Sequence, residues 1–357
     1  MPQPPRDATE IELSRIWQAV LREPVADIDL NFFLDLGGTS RAGVQLVVEI
    51  RRRFGVDLRL AELLSAPTVR MLADRLAGAG AGKHTSPVVL LQKGEEKAPP
   101  LYLFHALPGT LVKYFELGRA LGPRHTLLGL QSLGIEQDTS PLDSMEEMAD
   151  AYVSHMLDEH PGGPWRLLGY SMGGYLAVEA ARRLRDHGEA VDLVCVLDSR
   201  LPASAGATTD PDVMRTLTIQ GLARTMLNLE IAQEDLRGRP YRRQIDVVVE
   251  RGHLSGAFTD DHHVCRFLRF LDVRIRNHLA ILRYEPAECY LGTLTLIRAS
   301  DVPAYEDDGR NGWSGAAEAI EVFDTPGDHL SMVEAPAVHR LAEIVEGRLR
   351  GGGGPPA

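Results

Sequence analysis

From Val88 onward, short apolar runs alternate with helical patterns, and this alternation is the strongest constraint on the fold. The runs cover residues 88–91, 101–104, 126–130, 166–168, 191–197 and 293–297, with a last one near 320–323. Alternation of this kind predicts an α/β domain with a mostly parallel sheet and helices on both faces. Residues 202 to about 284 break the rhythm, because they contain no strand signal. Asp210-Pro211 is a capped helix start with Pro at the first helical position. A long helical pattern then runs through Val264, Phe267, Leu268, Leu271, His278, Leu279 and Leu282. An all-helical insertion of this length predicts a lid over the carboxyl ends of the strands, where such sheets bind ligands.

A tract of Gly, Ala and Ser at 77–87 reads as a flexible linker and divides the chain. Residues 5–76 then form a first domain, 88–350 a second, and the Gly/Pro-rich 351–357 a disordered tail. The first domain reads as a small helical bundle. Thr9 is a candidate cap for a helix with Leu13, Ile16, Trp17, Val20 and Leu21 on one face. A second helix starts near Ser40, with Val44, Val47 and Ile50 apolar, and stops near Gly55. Pro67-Thr68 opens a third, which carries Val69, Leu72 and Leu76.

Bulk properties exclude several classes. Of 357 residues, 44% are hydrophobic and 25% charged, as in ordinary globular chains, and this length buries a core without covalent staples. Cys195, Cys265 and Cys289 are too few and too scattered for a disulfide framework or a zinc site. No apolar stretch approaches 18 residues and the N-terminus has no signal-like core, so a cytoplasmic location is the default and no membrane role is expected. A net charge of −12 argues against nucleic acid as a partner. The run Asp260-Asp261-His262-His263, with Cys265, matches no metal-ligand spacing and reads as a solvated helix start, so no metal is expected. Arg51-Arg52-Arg53 reads as one exposed helix edge that could touch a partner.

Two serines sit in activating contexts. Ser40 ends Leu36-Gly37-Gly38-Thr39-Ser40 at a helix N-terminus, where unpaired N–H groups and the dipole favour a phosphate. Gly37 and Gly38 are expected to let a partner enzyme approach the backbone. The stretch Asn31-Phe32-Phe33-Leu34-Asp35-Leu36-Gly37-Gly38-Thr39-Ser40 resembles the attachment motif of peptidyl carrier domains of nonribosomal peptide synthetases. The resemblance continues through Phe54-Gly55-Val56 and Ala66-Pro67-Thr68-Val69, with Arg41 where the family usually has Leu or Ile. It implies covalent 4'-phosphopantetheine on Ser40 and a phosphopantetheinyl transferase as partner. Residues 1–80 carry 10 Lys+Arg and 11 Asp+Glu, a near-neutral balance that suits such a carrier.

Ser171 is the centre of Gly169-Tyr170-Ser171-Met172-Gly173. With 15 serines and 34 glycines in 357 residues, chance gives about 0.14 such matches, so context must support the motif. Trp165-Arg166-Leu167-Leu168 is a strand candidate before it, and Gly173 to Ala181 a small-residue helix after it. Strand, elbow and helix are what an exposed, strained nucleophile requires. The partners should follow in the order acid, then His. His329 lies on a Gly-containing loop after the last strand. Two acids compete: Asp198 at the end of the strand after the elbow helix, and Asp301 just past the next strand. One oxyanion donor should be the Met172 N–H, and the other should come from the loop His105-Ala106-Leu107-Pro108-Gly109. Pro108 has no N–H, so Leu107 is the choice and Ala106 the alternative, while His105 shapes the loop.

Residues 88–348 as a whole resemble the terminal thioesterase domains of peptide and polyketide synthases, α/β hydrolases with a Ser-His-Asp triad. In many of these the acid precedes the lid, which implies Asp198 over Asp301. The two resemblances imply a carrier–thioesterase pair that ends an assembly line. Upstream condensation and adenylation domains would then be partners and a peptidyl or acyl thioester the substrate. Release would be by hydrolysis or macrocyclisation. Two alternatives stand: joining of acyl chains by carbon–carbon condensation or oligomerisation, and a non-catalytic docking module with a degenerate hydrolase.

Overall fold

The structure is a computed structural model. It describes residues 2–350 except 57, 59, 78–85, 95–97, 136–138, 161, 202–209, 259, 287 and 302–308. Most of the expected linker and the whole expected tail lie outside the described residues.

The N-terminal part contains α1 (Ala8–Leu21), α2 (Ser40–Phe54), α3 (Leu60–Ser65) and α4 (Val69–Ala77). Asp7, not Thr9, caps α1: its carboxylate accepts the Glu10 N–H at 2.8 Å, and Thr9 lies within the helix. A charged acceptor at the cap gains from the helix dipole as well as the hydrogen bond. Thr39 caps α2 through the Ala42 N–H, and Gly55 ends it at φ 69°, as the pattern predicts. The sequence pattern did not reveal α3, because its six residues make less than two turns and show no repeated apolar face. Trp17, Phe32, Leu46, Ile50 and Leu72 are fully buried and fill the bundle.

The second part holds β1 (Val88–Gln92), β2 (Leu101–Phe104), β3 (Leu127–Leu130), β4 (Trp165–Tyr170), β5 (Val191–Leu197), β6 (Tyr290–Ala299) and β7 (Ala317–Thr325). They form one sheet in the order β1-β3-β2-β4-β5-β6-β7, parallel except for β1 against β3. Every strand read from the apolar runs is present. Alternate residues part to opposite faces. Leu101, Leu103 and Cys195 join a core with α5 (Tyr114–Leu121) and α12 (Ala337–Leu349). Tyr102, Phe104 and Val194 join another with α6 (Met145–Glu159) and α7 (Met172–Asp186). The bundle residues Trp17 and Phe33 belong to the first of these cores, so the two parts of the chain share apolar contact.

Among its described residues the insertion between β5 and β6 holds helices and no strand: α8 (Pro211–Leu227), α9 (Gln233–Leu236), α10 (Tyr241–Leu254) and α11 (Asp261–Arg283). It has its own core around Ile219, Val248, Phe267 and Leu271. Asp210 caps α8, which starts with Pro211 as predicted. Asp260 caps α11 through the His263 N–H at 3.0 Å, which accounts for part of the acidic–His run as a helix start. Arg51 is not simply an exposed edge: it lies 3.7 Å from Asp260 of the insertion. Among the described residues, no helix is long and apolar enough to cross a membrane.

Candidate active site

β4 ends at Tyr170 and α7 begins at Met172, so Ser171 occupies the turn between them. Its φ of 57° and ψ of −123° lie where side chains are rare, at a cost of about 1–3 kcal/mol. Three glycines make this turn possible. A Cβ on Gly169 would lie 1.8 Å from the Gly173 carbonyl oxygen, and one on Gly173 2.3 Å from that of Phe104. One on Gly174 would lie 2.0 Å from the Ser199 hydroxyl. That hydroxyl donates to the Ser171 carbonyl, and the Ser171 N–H donates to Leu197 at 2.9 Å. The turn at Ser171 is thus held through both its N–H and its carbonyl.

His329 comes from the loop after β7. Its Nε2 is 3.1 Å from the Ser171 Oγ, and its Nδ1 is 2.7 Å from the Asp198 Oδ2. A carboxylate can only accept, so Nδ1 holds the proton and the Nε2 lone pair faces the serine. Asp198 follows β5 at φ 46°. The Ala299 N–H of β6 donates to its other carboxylate oxygen at 3.2 Å. Its side chain is 12% exposed and that of His329 42%, so Asp198 is enclosed while His329 is open.

Asp301 does not meet His329. Its Oδ2 accepts the Gly327 N–H at 3.0 Å, and its own N–H donates to the Gly327 carbonyl at 2.9 Å. It braces the loop that presents His329.

Met172 stands at the first position of α7, directly after Ser171. In the loop after β2, Gly109 at φ 78° donates to the Ala106 carbonyl at 2.8 Å and closes a tight turn. Among the described residues, neither the Ala106 nor the Leu107 N–H has an acceptor, so both expected donors are available. His105 is fully buried, with Nδ1 donating to the Ala106 carbonyl at 2.9 Å and Nε2 accepting from the Tyr152 hydroxyl at 2.7 Å. Burial lowers its pKa to about 4, so the ring is neutral and acts as a strut for the loop.

Several supporting residues were not read from the sequence. The Tyr170 ring stacks on His329 with centroids 5.1 Å apart, and its hydroxyl donates to the His329 carbonyl. The Tyr114 hydroxyl accepts the Tyr170 N–H at 2.9 Å. Asn277 of α11 donates to the Leu107 carbonyl at 3.1 Å and ties the insertion to the loop after β2. Tyr170 and Ser199 each neighbour a predicted site residue, which was a usable signal. Tyr114 and Asn277 had none. A cavity of about 250 Å³ opens at Ser171, walled by Tyr175, Arg200 and Asn311 as well as Asp198 and His329.

The second serine, Ser40, is the first residue of α2, a 15-residue helix. A Cβ on Gly37 would meet nothing within 4 Å, so the turn before the helix is open on that side. Gly38 is different: its Cβ would lie 2.3 Å from the Phe32 ring. The expectation that both glycines admit a partner therefore needs correction, since Gly38 is required by packing inside the bundle. A serine at the N-terminus of a helix, beside an open turn, fits a phosphate-linked group.

Comparison with known proteins supports both halves. The family of the thioesterase domain matches residues 99–240, and that of the phosphopantetheine attachment site matches 12–76. A dimodular nonribosomal peptide synthase of Bacillus subtilis (strain 168) is 34% identical over 242 residues, which is 65% of this chain and 10% of the synthase. A crystal structure of a four-domain nonribosomal peptide synthetase bound to AMP and glycine aligns at 30% identity and a TM-score of 0.65. The alignment covers 97% of this chain and 26% of that one. The Vlm2 thioesterase domain bound with a dodecadepsipeptide aligns at 21% identity and a TM-score of 0.51, over 73% of this chain and 97% of that one, a likeness of fold. The chain thus spans a tenth of the Bacillus synthase and about a quarter of the four-domain structure. Residues 12–76 thus match the phosphopantetheine-attachment family and residues 99–240 the thioesterase family, the latter part with an α/β-hydrolase fold.

Proposed function

We propose that this chain carries an acyl or peptidyl group on Ser40 and releases it through Ser171. The unbroken line from Ser171 Oγ through His329 to Asp198, at 3.1 and 2.7 Å, is the observation that most supports this reading. Phosphopantetheine, when bound to Ser40, supplies the thiol that presents the acyl chain as a thioester. Everything after that falls to side chains and backbone of the thioesterase part.

Ser171 Oγ attacks the thioester carbonyl while His329 Nε2 takes its proton. Asp198 keeps the imidazole in the right tautomer and stabilises its positive charge. The oxyanion is received by the Met172 N–H and by that of Leu107, with Ala106 the alternative donor. His329 returns the proton to the departing sulfur, leaving an ester on Ser171. Water, or an amine or hydroxyl of the acyl chain, then gives a proton to His329 and attacks the ester. The product leaves as acid or macrocycle, and Ser171 regains its hydrogen. The insertion α8–α11 serves as the lid. Upstream condensation and adenylation domains would supply the chain, and a phosphopantetheinyl transferase would modify Ser40.

The test has two arms. Incubation with a phosphopantetheinyl transferase and coenzyme A should add one phosphopantetheine mass to the chain, and none to Ser40→Ala. A fluorophosphonate should label the wild-type chain and not Ser171→Ala. A folded wild-type chain that resists both reagents would refute the reading.

A further inference from the structure

The two halves of the chain touch through the segment that leads into Ser40. Asn31 shapes this segment, its side-chain oxygen accepting the Phe33 and Leu34 N–H groups at 2.9 and 3.0 Å. Phe33 is 1% exposed, and its ring stacks on Phe115 of α5, with centroids 4.3 Å and planes 9° apart. One helical turn further along α5, Arg119 donates to the Phe33 carbonyl at 2.6 Å and to the Leu34 carbonyl at 2.7 Å. Phe115 and Arg119 are four residues apart, so they present one face of the helix. At the far end of α2, Arg51 approaches Asp260, the cap of α11.

The position of α5 gives this contact its meaning. The helix begins at Tyr114, shortly after the loop that holds the Ala106 and Leu107 N–H groups. Lys113, just before it, pairs with Glu334 beyond His329. The helix therefore hangs between the two loops that build the candidate active site, and α11, touched by Arg51, is tied to one of them through Asn277.

We propose that the face of α5 formed by Phe115 and Arg119 is the dock from which the carrier part delivers its acyl chain. The proposal rests on the carrier–thioesterase reading above. It adds a rule of selection. Arg119 reads two main-chain carbonyls, which any sequence in this loop supplies. The surface over Phe115 takes a flat ring lying parallel to it. Phe33 is then the specificity determinant on the carrier, and Arg119 fixes the loop without reading its side chains.

The experiment compares two substrates on the full chain. One is the acyl group loaded on Ser40 with an acyl-coenzyme A and the transferase. The other is a small soluble acyl thioester, which needs no carrier. Arg119→Ala changes a half-exposed side chain and should slow release from Ser40 about ten-fold, while turnover of the soluble thioester stays within two-fold. Arg119→Lys keeps the charge without the two-pronged geometry and should behave like Arg119→Ala. Phe33→Leu should slow release from Ser40 similarly, with normal loading by the transferase as the check that the carrier part is folded. Hydrogen exchange in Arg119→Ala should rise at 31–38 and 114–121 and not in β4. Equal release rates from Ser40 in wild type and Arg119→Ala, or equal losses with both substrates, would overturn the dock. A wild-type chain inert to the soluble thioester would overturn the release reading itself, and the dock with it.

Discussion

Ser171 and Asp198 both hold positive φ angles, at 57° and 46°, and both follow directly on a strand end. The residues around them, not their own preferences, hold these conformations. Ser199 joins them, since it follows Asp198 in sequence and bonds the Ser171 carbonyl. Local pattern alone does not separate the two candidate acids, because each follows closely on a strand end at the carboxyl edge of the sheet; only the resemblance to thioesterases favours Asp198. Their contacts separate them: Asp198 faces His329 Nδ1, and Asp301 grips the backbone at Gly327. Asp198→Asn should invert the imidazole tautomer and lower kcat by about 10³- to 10⁴-fold. Asp301→Asn loosens a loop and should cost only about five-fold, the worth of one ordinary hydrogen bond of about 1 kcal/mol. Steady-state kinetics on a soluble thioester distinguishes the two, and equal losses would contradict the assignment of roles.

Among the elements, the strands and the helices α1, α2, α4, α7, α8 and α11 are legible from apolar spacing, small-residue runs or cap signals, whereas α6 and α10 are not. Nor are α3 and the identity of the α1 cap, since a six-residue helix shows too little pattern and any of several polar residues can cap. α11 shows what periodicity conceals. Its pattern predicts a helix, but not that Asn277 is fully buried on the loop after β2. Among the described residues the Asn277 Oδ1 has no partner, so the residue gives up part of its hydrogen-bonding capacity to hold Leu107. Asn277→Leu removes the bond and the orphaned acceptor together, so the two effects offset and stability should change by no more than about 1 kcal/mol. Catalysis should suffer more: kcat is expected to fall several-fold with KM nearly unchanged, because the bond holds the loop of the proposed oxyanion donor and not the substrate. A loss confined to KM would show that Asn277 contacts substrate instead.

At the scale of the molecule, burial couples the site to the stability of the whole domain. His105 titrates near 6.5 when unfolded, but burial holds it at about 4 in the folded domain. Between these values the unfolded chain binds the extra proton, so stability is full above about pH 6.5 and falls as pH drops towards 4. The shift corresponds to about 3 kcal/mol. Denaturant unfolding of the thioesterase part from pH 7 to 4.5 should show this loss, and His105→Gln should flatten it. An unchanged slope in that variant would assign the acid sensitivity to other groups. Spacing along the chain is enough for the two-part plan, the succession of strands, the helices α1, α2, α4, α7, α8 and α11, and the local elbow around Ser171. Those features depend on spacing along a few turns or strand residues, which the chain carries in one dimension. Packing in three dimensions shows that Asp198 and not Asp301 contacts His329, why Gly38 must be glycine, and where Phe33 meets Phe115. Each of those joins residues far apart in sequence through register, packing and burial, which no local pattern encodes.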